Sequence, residues 1–477
     1  MKNTNFKLFR NSLLLVLILL INFSCEREMS DDATLATYPK TAEIFIEDVI
    51  GMGTDFYFPY GPDASNPVGS LFTAWSVDRQ VGYNSNASMR FDVPNSNNPQ
   101  GNYAGAIFRT EGAGRNLTGY DALTFYVKAS QGVTIGEFGF GEDFFPNKYI
   151  TTIKNVSVGT NWTKVIIPIP DASKLVKERG MFRYSAGTSG TNGFGYTFWI
   201  DDLKFEKLGT ILPLQASIMN GNNVTRSTFV GVTSSITGAL ETFNMPNGSN
   251  QSVSISLAFL NFTSSNPSVA TVNDAGVVTP IAAGTATITA TFNGQPATGS
   301  LIINCLGAYV NAPIPTLSPS NVISVFSNAY SNVPVDYFNG YWGGSQTLSD
   351  DFIANGDNVL SYYNFLYFGI AFSNPFINAT TMNYIHLDIH VPASNTSTSK
   401  SMRIRIRDFG ANGLDNQGGV DDTDKTMVLN NANLVSNSWN SIEIPMNIAN
   451  KSKLGLIIFD QGTNLSKFFI DNIYFHN

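Results

Sequence analysis

Apolar and polar residues alternate with period two along most of this chain. No segment beyond the first 25 residues sustains a helical period, so strands are predicted throughout. Leu123, Phe125 and Val127 alternate with Thr124, Tyr126 and Lys128; Ile385, Leu387, Ile389 and Val391 alternate with His386, Asp388 and His390. One face of each such strand feeds a core and the other meets solvent or ligand, as in two packed antiparallel sheets. Only Asp171 to Arg179 is predicted to form a helical turn or two. The strands also repeat. Phe198 to Phe205, FWIDDLKF, is matched by Phe468 to Phe475, FFIDNIYF. Trp162 to Pro168 is matched by Trp439 to Pro445, and Leu123 to Ser130 by Leu387 to Ser394. In that alignment Ala122, Thr124 and Tyr126 answer to His386, Asp388 and His390. Two related all-β modules, at residues 38–208 and 307–477, therefore flank a stretch of different character at 212–304.

Composition narrows the function. A chain of 477 residues exceeds one ordinary core, and three domains are expected. Charged residues are only 13% and aromatics 12%, which suits short strands, many turns and aromatic surface. The net charge of −8 excludes a polyanionic partner, so nucleic acid is set aside. Catalytic motifs are missing: there is no Glu-x-Asp-x-x-Glu strand, Gly-x-Ser-x-Gly elbow, phosphate loop or His-Glu-x-x-His helix. Glu47-Asp48 and Glu142-Asp143 are adjacent pairs, which point to opposite faces of a strand. With three histidines in all, little is left for general base work, and the chain is read as non-catalytic. His386, Asp388 and His390 emerge on one face at about 7 Å intervals, too widely spread for all three to hold one metal. They are read as a polar face.

Lys2, Lys7 and Arg10, then the apolar run Leu13 to Ile21, then Asn22-Phe23-Ser24-Cys25 have the layout of a targeting segment. Residues 1–25 resemble a bacterial lipoprotein signal, with Cys25 as the lipidated residue. The acidic tether at 26–37, with Glu26, Glu28, Asp31 and Asp32, resembles the surface-export signal of Bacteroidetes lipoproteins. That resemblance implies a lipid anchor in the outer membrane and a place on the cell exterior. The other cysteine, Cys305, ends an apolar strand and is expected to be a buried thiol.

Within 212–304, Ser265-Asn266-Pro267-Ser268-Val269-Ala270-Thr271-Val272 and Gly284-Thr285-Ala286-Thr287-Ile288-Thr289-Ala290 closely resemble the bacterial Ig-like group 2 domain, which implies a small sandwich acting as a spacer. Leu306 to Pro319, with three prolines, reads as a semi-rigid linker. The flanking modules resemble carbohydrate-binding jelly rolls, so the fold class expected is all-β, two jelly-roll β-sandwiches separated by an Ig-like β-sandwich. In that family a structural Ca2+ often bridges the first and last strands. Carried over, the ligands would be Asp201 with Glu47 and Asp48 in the first module, and Asp471 with Ser327 and Asn328 in the third. The alternative is that Asp201 and Asp471 satisfy backbone donors at a strand end.

A sugar presents apolar C–H faces ringed by hydroxyls, so its receptor needs flat aromatic platforms with polar side chains beside them. Trp162 and Trp439 head apolar strands and are expected in the core. Trp342, flanked by Tyr341, and Trp75 fall in turn-rich stretches and are candidate platforms, with packing over the sandwich edge as the alternative. Tyr103 and Tyr367 each stand two residues before a glycine, Gly105 and Gly369, where a ligand could approach the sheet. The loop from Asp408 to Asp424 offers Asp415, Asn416 and Gln417 as polar partners, unless it is only a turn. Val322 to Tyr330, followed by Trp342-Gly343, resembles modules appended to family 16 laminarinases of Bacteroidetes. The resemblance implies a polysaccharide ligand, with β-glucans such as laminarin first, and a surface glycan-binding lipoprotein working beside an outer-membrane glycan importer. A protein-binding adhesin or scaffold with an Ig-like stalk is the rival expectation.

Overall fold

The computed structural model describes residues 38–144, 148–340 and 342–477. The signal segment with Cys25, the tether at 26–37 and Tyr341 lie outside the described residues. Among the described residues the long elements are all strands. The turns expected between Asp171 and Arg179 reduce to a single 3-10 turn, Ala172–Lys174.

The first module contains β1 (Glu43–Phe45), β2 (Tyr57–Pro59), β3 (Trp75–Asp78), β4 (Ser88–Val93), β5 (Ala104–Arg109), β6 (Ala122–Ala129), β7 (Val133–Phe140), β8 (Thr151–Val158), β9 (Thr163–Pro168), β10 (Gly180–Ala186) and β11 (Tyr196–Glu206). The middle stretch contains β12 (Leu212–Ser217), β13 (Asn223–Thr228), β14 (Ser234–Ser235), β15 (Leu240–Asn244), β16 (Asn250–Ile255), β17 (Asn261–Ser264), β18 (Ala270–Val272), β19 (Val277–Pro280), β20 (Gly284–Phe292), β21 (Gln295–Pro296) and β22 (Ser300–Cys305). The third module contains β23 (Val322–Phe326), β24 (Leu348–Ser349), β25 (Phe352–Ala354), β26 (Asp357–Tyr363), β27 (Phe368–Ala371), β28 (Tyr384–Val391), β29 (Ser401–Asp408), β30 (Thr423–Leu429), β31 (Ser438–Pro445), β32 (Leu454–Thr463) and β33 (Lys467–His476).

The first sandwich packs a sheet ordered β3-β4-β11-β6-β9, with β1 on β11, against β8-β7-β10-β5-β2. Its core is rich in phenylalanine: Phe91 stacks on Phe198 with centroids 4.7 Å apart, and Phe125 meets Phe138 edge-on at 5.1 Å. The third sandwich packs β24-β26-β33-β28-β31, with β23 on β33, against β27-β32-β29-β30. There Phe368 stacks between Tyr362 and Phe459 at 3.8 and 4.6 Å. The Cys305 thiol is buried and free, as expected.

The strand written twice carries the same irregularity twice. Asp202 and Asn472 have φ of 49° and 52°, and the aspartate before each accepts its N–H at 2.7 and 2.6 Å. Asp and Asn tolerate the left-handed region better than other side chains, so Ile-Asp-Asp and Ile-Asp-Asn encode a β-bulge. Pairing through the bulge sets the correspondence between the copies. Tyr126 opposes Asp201 and Lys128 opposes Trp199, as Asp388 opposes Asp471 and His390 opposes Phe469. The residues matching His386, Asp388 and His390 are therefore Thr124, Tyr126 and Lys128, two positions along from the alignment by sequence.

The outer face of this sheet also differs from expectation. Trp162 is half-buried rather than core, and the Lys128 ammonium lies 5.3 Å over its ring and 5.2 Å over that of Trp199. Trp439 is likewise half-buried, and its Nε1–H donates to the linker carbonyl of Val310 at 2.7 Å. In the third module the outer face is covered: Phe229 and Val232 of the middle stretch and Tyr309 of the linker pack on Phe469, Ala354 and Val359. The linker is tied down further where Asn472 Nδ2 donates to Pro313 O at 3.0 Å.

The middle stretch is more than a spacer. β12, β15 and β16 do not stay within an isolated sandwich but extend the first module's sheet, giving the eight-stranded order β12-β15-β16-β8-β7-β10-β5-β2. Ser254 of β16 pairs with Thr152 of β8, and the buried side chains of both regions form one core. The remaining strands make a second layer, β13-β22-β20-β17 with β21, and a small sheet β14-β19-β18.

Candidate binding faces

In the third module the outer side of β27-β32-β29-β30 gathers most of the residues singled out from the sequence. Trp342 lies on the backbone of Gly369, where a β-carbon would come within 2.5 Å of the indole atoms Cζ2 and Cη2. Tyr367 runs nearly parallel to it, with centroids 6.3 Å apart and 28° between the planes, and donates its hydroxyl to Gly343 O at 2.5 Å. Register then fixes what stands beside the aromatic wall. Gly369 pairs with Ile458, Ile458 with Arg405, and Arg405 with Thr426, so one row leads from the indole over an apolar floor to a guanidinium. Leu456, Ile458, Ala371 and Phe409 make that floor.

The guanidinium belongs to a ladder. Arg403, Arg405 and Arg407 all emerge on this side of β29. Arg403 Nε and Arg405 Nη2 hold Asp460 at 2.7 and 2.6 Å, and Arg407 Nε and Nη1 hold Asp424 and Asp415, both at 2.7 Å. Hydrogen bonds to Asp424 and Asp415 raise the Arg407 pKa, while burial of Asp460 is outweighed by its two arginine partners and its pKa is lowered. Such a ladder offers fixed donors and acceptors with little net charge, which suits a neutral polyol better than an ion. Asp415 thus reaches the site as an anchor of Arg407. Asn416 and Gln417 donate their backbone N–H groups to Asp422 and Asp415, so the loop is an ordered turn at the rim. The ladder was overlooked in the sequence, although Arg403-Ile404-Arg405-Ile406-Arg407 is a clean period-two signal.

In the first module the glycine of the matching motif seats the protein's own rings. A β-carbon at Gly105 would meet the Tyr103 ring at 2.7 Å and the Tyr60 ring at 3.0 Å. Trp75 is turned inward, against Phe56, Tyr57 and Phe108 at 5.4 to 5.5 Å, and its Nε1 is buried; it packs the sandwich edge and offers no open platform. The polar groups of this face come instead from Arg183, which holds Glu137 at 2.9 Å and Glu142 at 2.6 Å, with the Tyr60 hydroxyl on Glu142 at 2.8 Å. Further along, the Arg109 guanidinium is set over Phe58 and Phe144 at 4.9 and 5.1 Å and pairs with Asp143 at 3.2 Å. Phe144 is 48% exposed and gives this end an open aromatic. None of these residues carried a motif, because they meet only when β2, β5, β7 and β10 are in register.

The calcium ligands do not assemble as carried over. Asp201 accepts from Tyr83 N, Ser85 Oγ and Asp202 N at 2.7 to 2.9 Å, while Asp48 is exposed and paired with Arg79. Glu47 is also exposed. Those carboxylates are not brought together, and Asp201 serves backbone donors. In the third module Ser327 donates to Asn472 Oδ1, and the Asn328 amide to Gly356 O. Asp471 faces a different carboxylate, Asp357 of β26, in a cleft lined by Asn311, Pro313, Asn328 and Asn355. Burial, and then Asp357, push the Asp471 pKa up to about 8. Among the described residues no three His, Cys, Asp or Glu side chains are grouped to hold a metal ion. His386 is likewise occupied, whereas His390 Nδ1 is buried without a hydrogen-bond partner among the described residues. Burial lowers the pKa of His386, but Asp388 at 3.4 Å and Glu443 at 2.6 Å outweigh it and lift the value to about 9; burial holds His390 down at about 4.

Residues 61–207 match the family model described as carbohydrate binding domain 30, and residues 250–299 match the bacterial Ig-like domain (group 2). Solved structures similar to part of the chain include the family 30 carbohydrate-binding module of a cellulosomal cellulase of Clostridium thermocellum. That match has 17% identity over 35% of this chain and 97% of that one, with a TM-score of 0.25. A family 11 module from another cellulosomal cellulase of the same organism matches at 20% identity, over 31% of this chain and 96% of that one, with a TM-score of 0.21. A family 11 module from C. thermocellum in complex with a β-1,3-1,4-mixed-linked tetrasaccharide matches at 16% identity, over 35% and 98%, with a TM-score of 0.23. No curated protein matches the chain. The chain thus carries a module matching carbohydrate binding domain 30, to which non-catalytic carbohydrate binding belongs, and a group 2 Ig-like domain, ahead of a second β-sandwich without a family assignment.

Proposed function

We propose that this protein is a surface glycan-binding lipoprotein that captures a β-glucan, with laminarin-type β-1,3-linked chains first, for an outer-membrane uptake system. The observation that carries the reading is the face of the third module, where an indole seated on Gly369 adjoins an apolar floor and a charge-balanced arginine ladder. A β-linked glucose chain exposes the matching surface, apolar ring faces edged by equatorial hydroxyls. The family 30 match of residues 61–207 and the resemblance of the third module to laminarinase-appended modules support the ligand class. The signal-like segment ending at Cys25 and the acidic tether support a lipid anchor and an exterior location. Titration of the purified chain with laminarin and with mixed-linkage β-glucan is expected to give binding without release of reducing ends. Binding to neither, across a panel of glycans, would favour the adhesin or scaffold instead.

Calcium belongs to the same reading, at Asp357 and Asp471; Asp471 is kept from the ligands first expected, with Asn328 in the lining of the same cleft and Asp357 added. Two carboxylates facing each other, Asp471 buried and Asp357 half-buried, hold a proton that the unfolded chain, with aspartate near 3.8, has released; the folded pair therefore loses stability as pH rises from that value through about 8. A bound divalent cation would take the place of that proton, with oxygen ligands of the kind Ca2+ requires. Added Ca2+ is expected to raise the melting temperature more above pH 8 than below pH 6, and Asp471→Asn to remove the difference. Identical melting with Ca2+ and with chelator at both pH values would dismiss the site.

A further inference from the structure

We propose that the glycan-binding face of the first module continues onto the Ig-like region, whose strands β16, β15 and β12 form an extension lane for long chains. The proposal rests on the carbohydrate-binding reading of the first module. Its basis is one unbroken row of paired residues across the eight-stranded sheet. Phe58 pairs with Ile107, Ile107 with Arg183, Arg183 with Gly139 and Gly139 with Thr152; Thr152 then pairs with Ser254, Ser254 with Leu240 and Leu240 with Ser217. Directly paired residues share a face, so the side that carries Arg183 and Phe58 is the side that carries Ser254.

The neighbouring row is paired on either side of the junction but not across it, since β8 and β16 pair only at Thr152–Ser254 and Thr151–Ile255. Gly105, Ser185, Glu137 and Lys154 lie across the first module, and two positions from Ser254 stands Ser252, paired with Thr242 and through it with Gln215. Beyond them Asn244 pairs with Asn250. At the usual strand spacing of about 4.8 Å, the three added strands lengthen the face by about 14 Å beyond β8.

The chemistry of the lane suits sugar hydroxyls. The Thr242 and Ser252 hydroxyls are 2.9 Å apart, and Asn244 Nδ2 donates to Asn250 Oδ1 at 3.1 Å, so hydroxyl and amide groups are already ordered on the surface. All four are half-buried or exposed. The one ionisable side chain of the three strands, Glu241, points inward at 1% exposure. An uncharged array of hydroxyls and amides exchanges partners with a polyol at small desolvation cost, whereas charges would have to be stripped of water. Gly139 and Thr152, which bridge the two regions, carry small side chains but are themselves buried, so a chain passing from Arg183 to Ser254 would run over the groups that surround them.

The test uses the full chain with Trp342→Ala, which weakens the third module, titrated with a tetramer and an octamer of linear β-1,3-linked and mixed β-1,3-1,4-linked glucose. The octamer is expected to bind roughly tenfold more tightly than the tetramer. Thr242→Ala with Ser252→Ala is expected to erase that gain and leave the tetramer unchanged, while Thr242→Ser keeps it; thermal melts confirm that each variant is folded. Equal affinity for both lengths, or a gain that survives the double substitution, would overturn the lane while leaving the module's binding in place. Binding of neither oligosaccharide would instead bring down the reading on which the lane rests.

Discussion

Replacing Trp342 with alanine is expected to weaken glycan binding at the third module by roughly ten- to hundredfold, about 1.5–3 kcal/mol. The indole is the largest flat surface on that face, and the row from Gly369 through Ile458 to Arg405 leaves nothing of similar shape to replace it. Tyr367 would remain, but its hydroxyl is held by Gly343 O and its ring lies 6.3 Å from the indole, so it cannot move into the gap. Because Trp342 is only half-buried, melting should change little. Gly369→Ala offers a second probe: the new β-carbon would collide with the indole at 2.5 Å and lift the platform while keeping the tryptophan. Calorimetric titration of the full chain should lose one class of sites in both variants. Two classes of site with unaltered affinity in Trp342→Ala would remove the third-module assignment.

The second large effect concerns stability. Arg115 is 2% exposed, and among the described residues its guanidinium has no carboxylate partner in hydrogen-bond reach. Instead Nη1 donates to Thr41 O and Glu43 O at 3.2 and 2.7 Å, and Nη2 to Ile50 O and Gly51 O at 2.7 and 3.0 Å. One side chain thus fastens both ends of the loop that carries Glu47 and Asp48. Burial lowers its pKa, so the charge is held at a cost that the four carbonyls offset. Arg115→Met keeps the stem but leaves those carbonyls without their donor, and is expected to destabilise the first module by about 3–5 kcal/mol. In a thermal melt the corresponding transition should fall by roughly 10 °C. A shift of under a degree would mean that water satisfies the carbonyls and that the arginine is dispensable.

Much of the architecture was written in the chain. Period-two alternation predicted strands, the repeat predicted two related sandwiches, and the Ser265 to Val272 and Gly284 to Ala290 segments marked the Ig-like region that the family match places at 250–299. Trp342, Tyr367 and Asp415 were legible because an aromatic among glycines, or an acidic loop, stands out locally. Trp75 misled for the same reason: a tryptophan in a turn-rich stretch looks exposed until Phe56, Tyr57 and Phe108 close around it.

The sequence by itself determined the strand content and the duplication, since alternation and its recurrence are properties of neighbours in the chain. Only the tertiary structure decided which aromatics face solvent, that Arg405 shares a row with Trp342, that Asp471 meets Asp357, and that β16 pairs with β8. Each of these depends on register between strands far apart in sequence, and a shift of one residue would send every side chain to the opposite face.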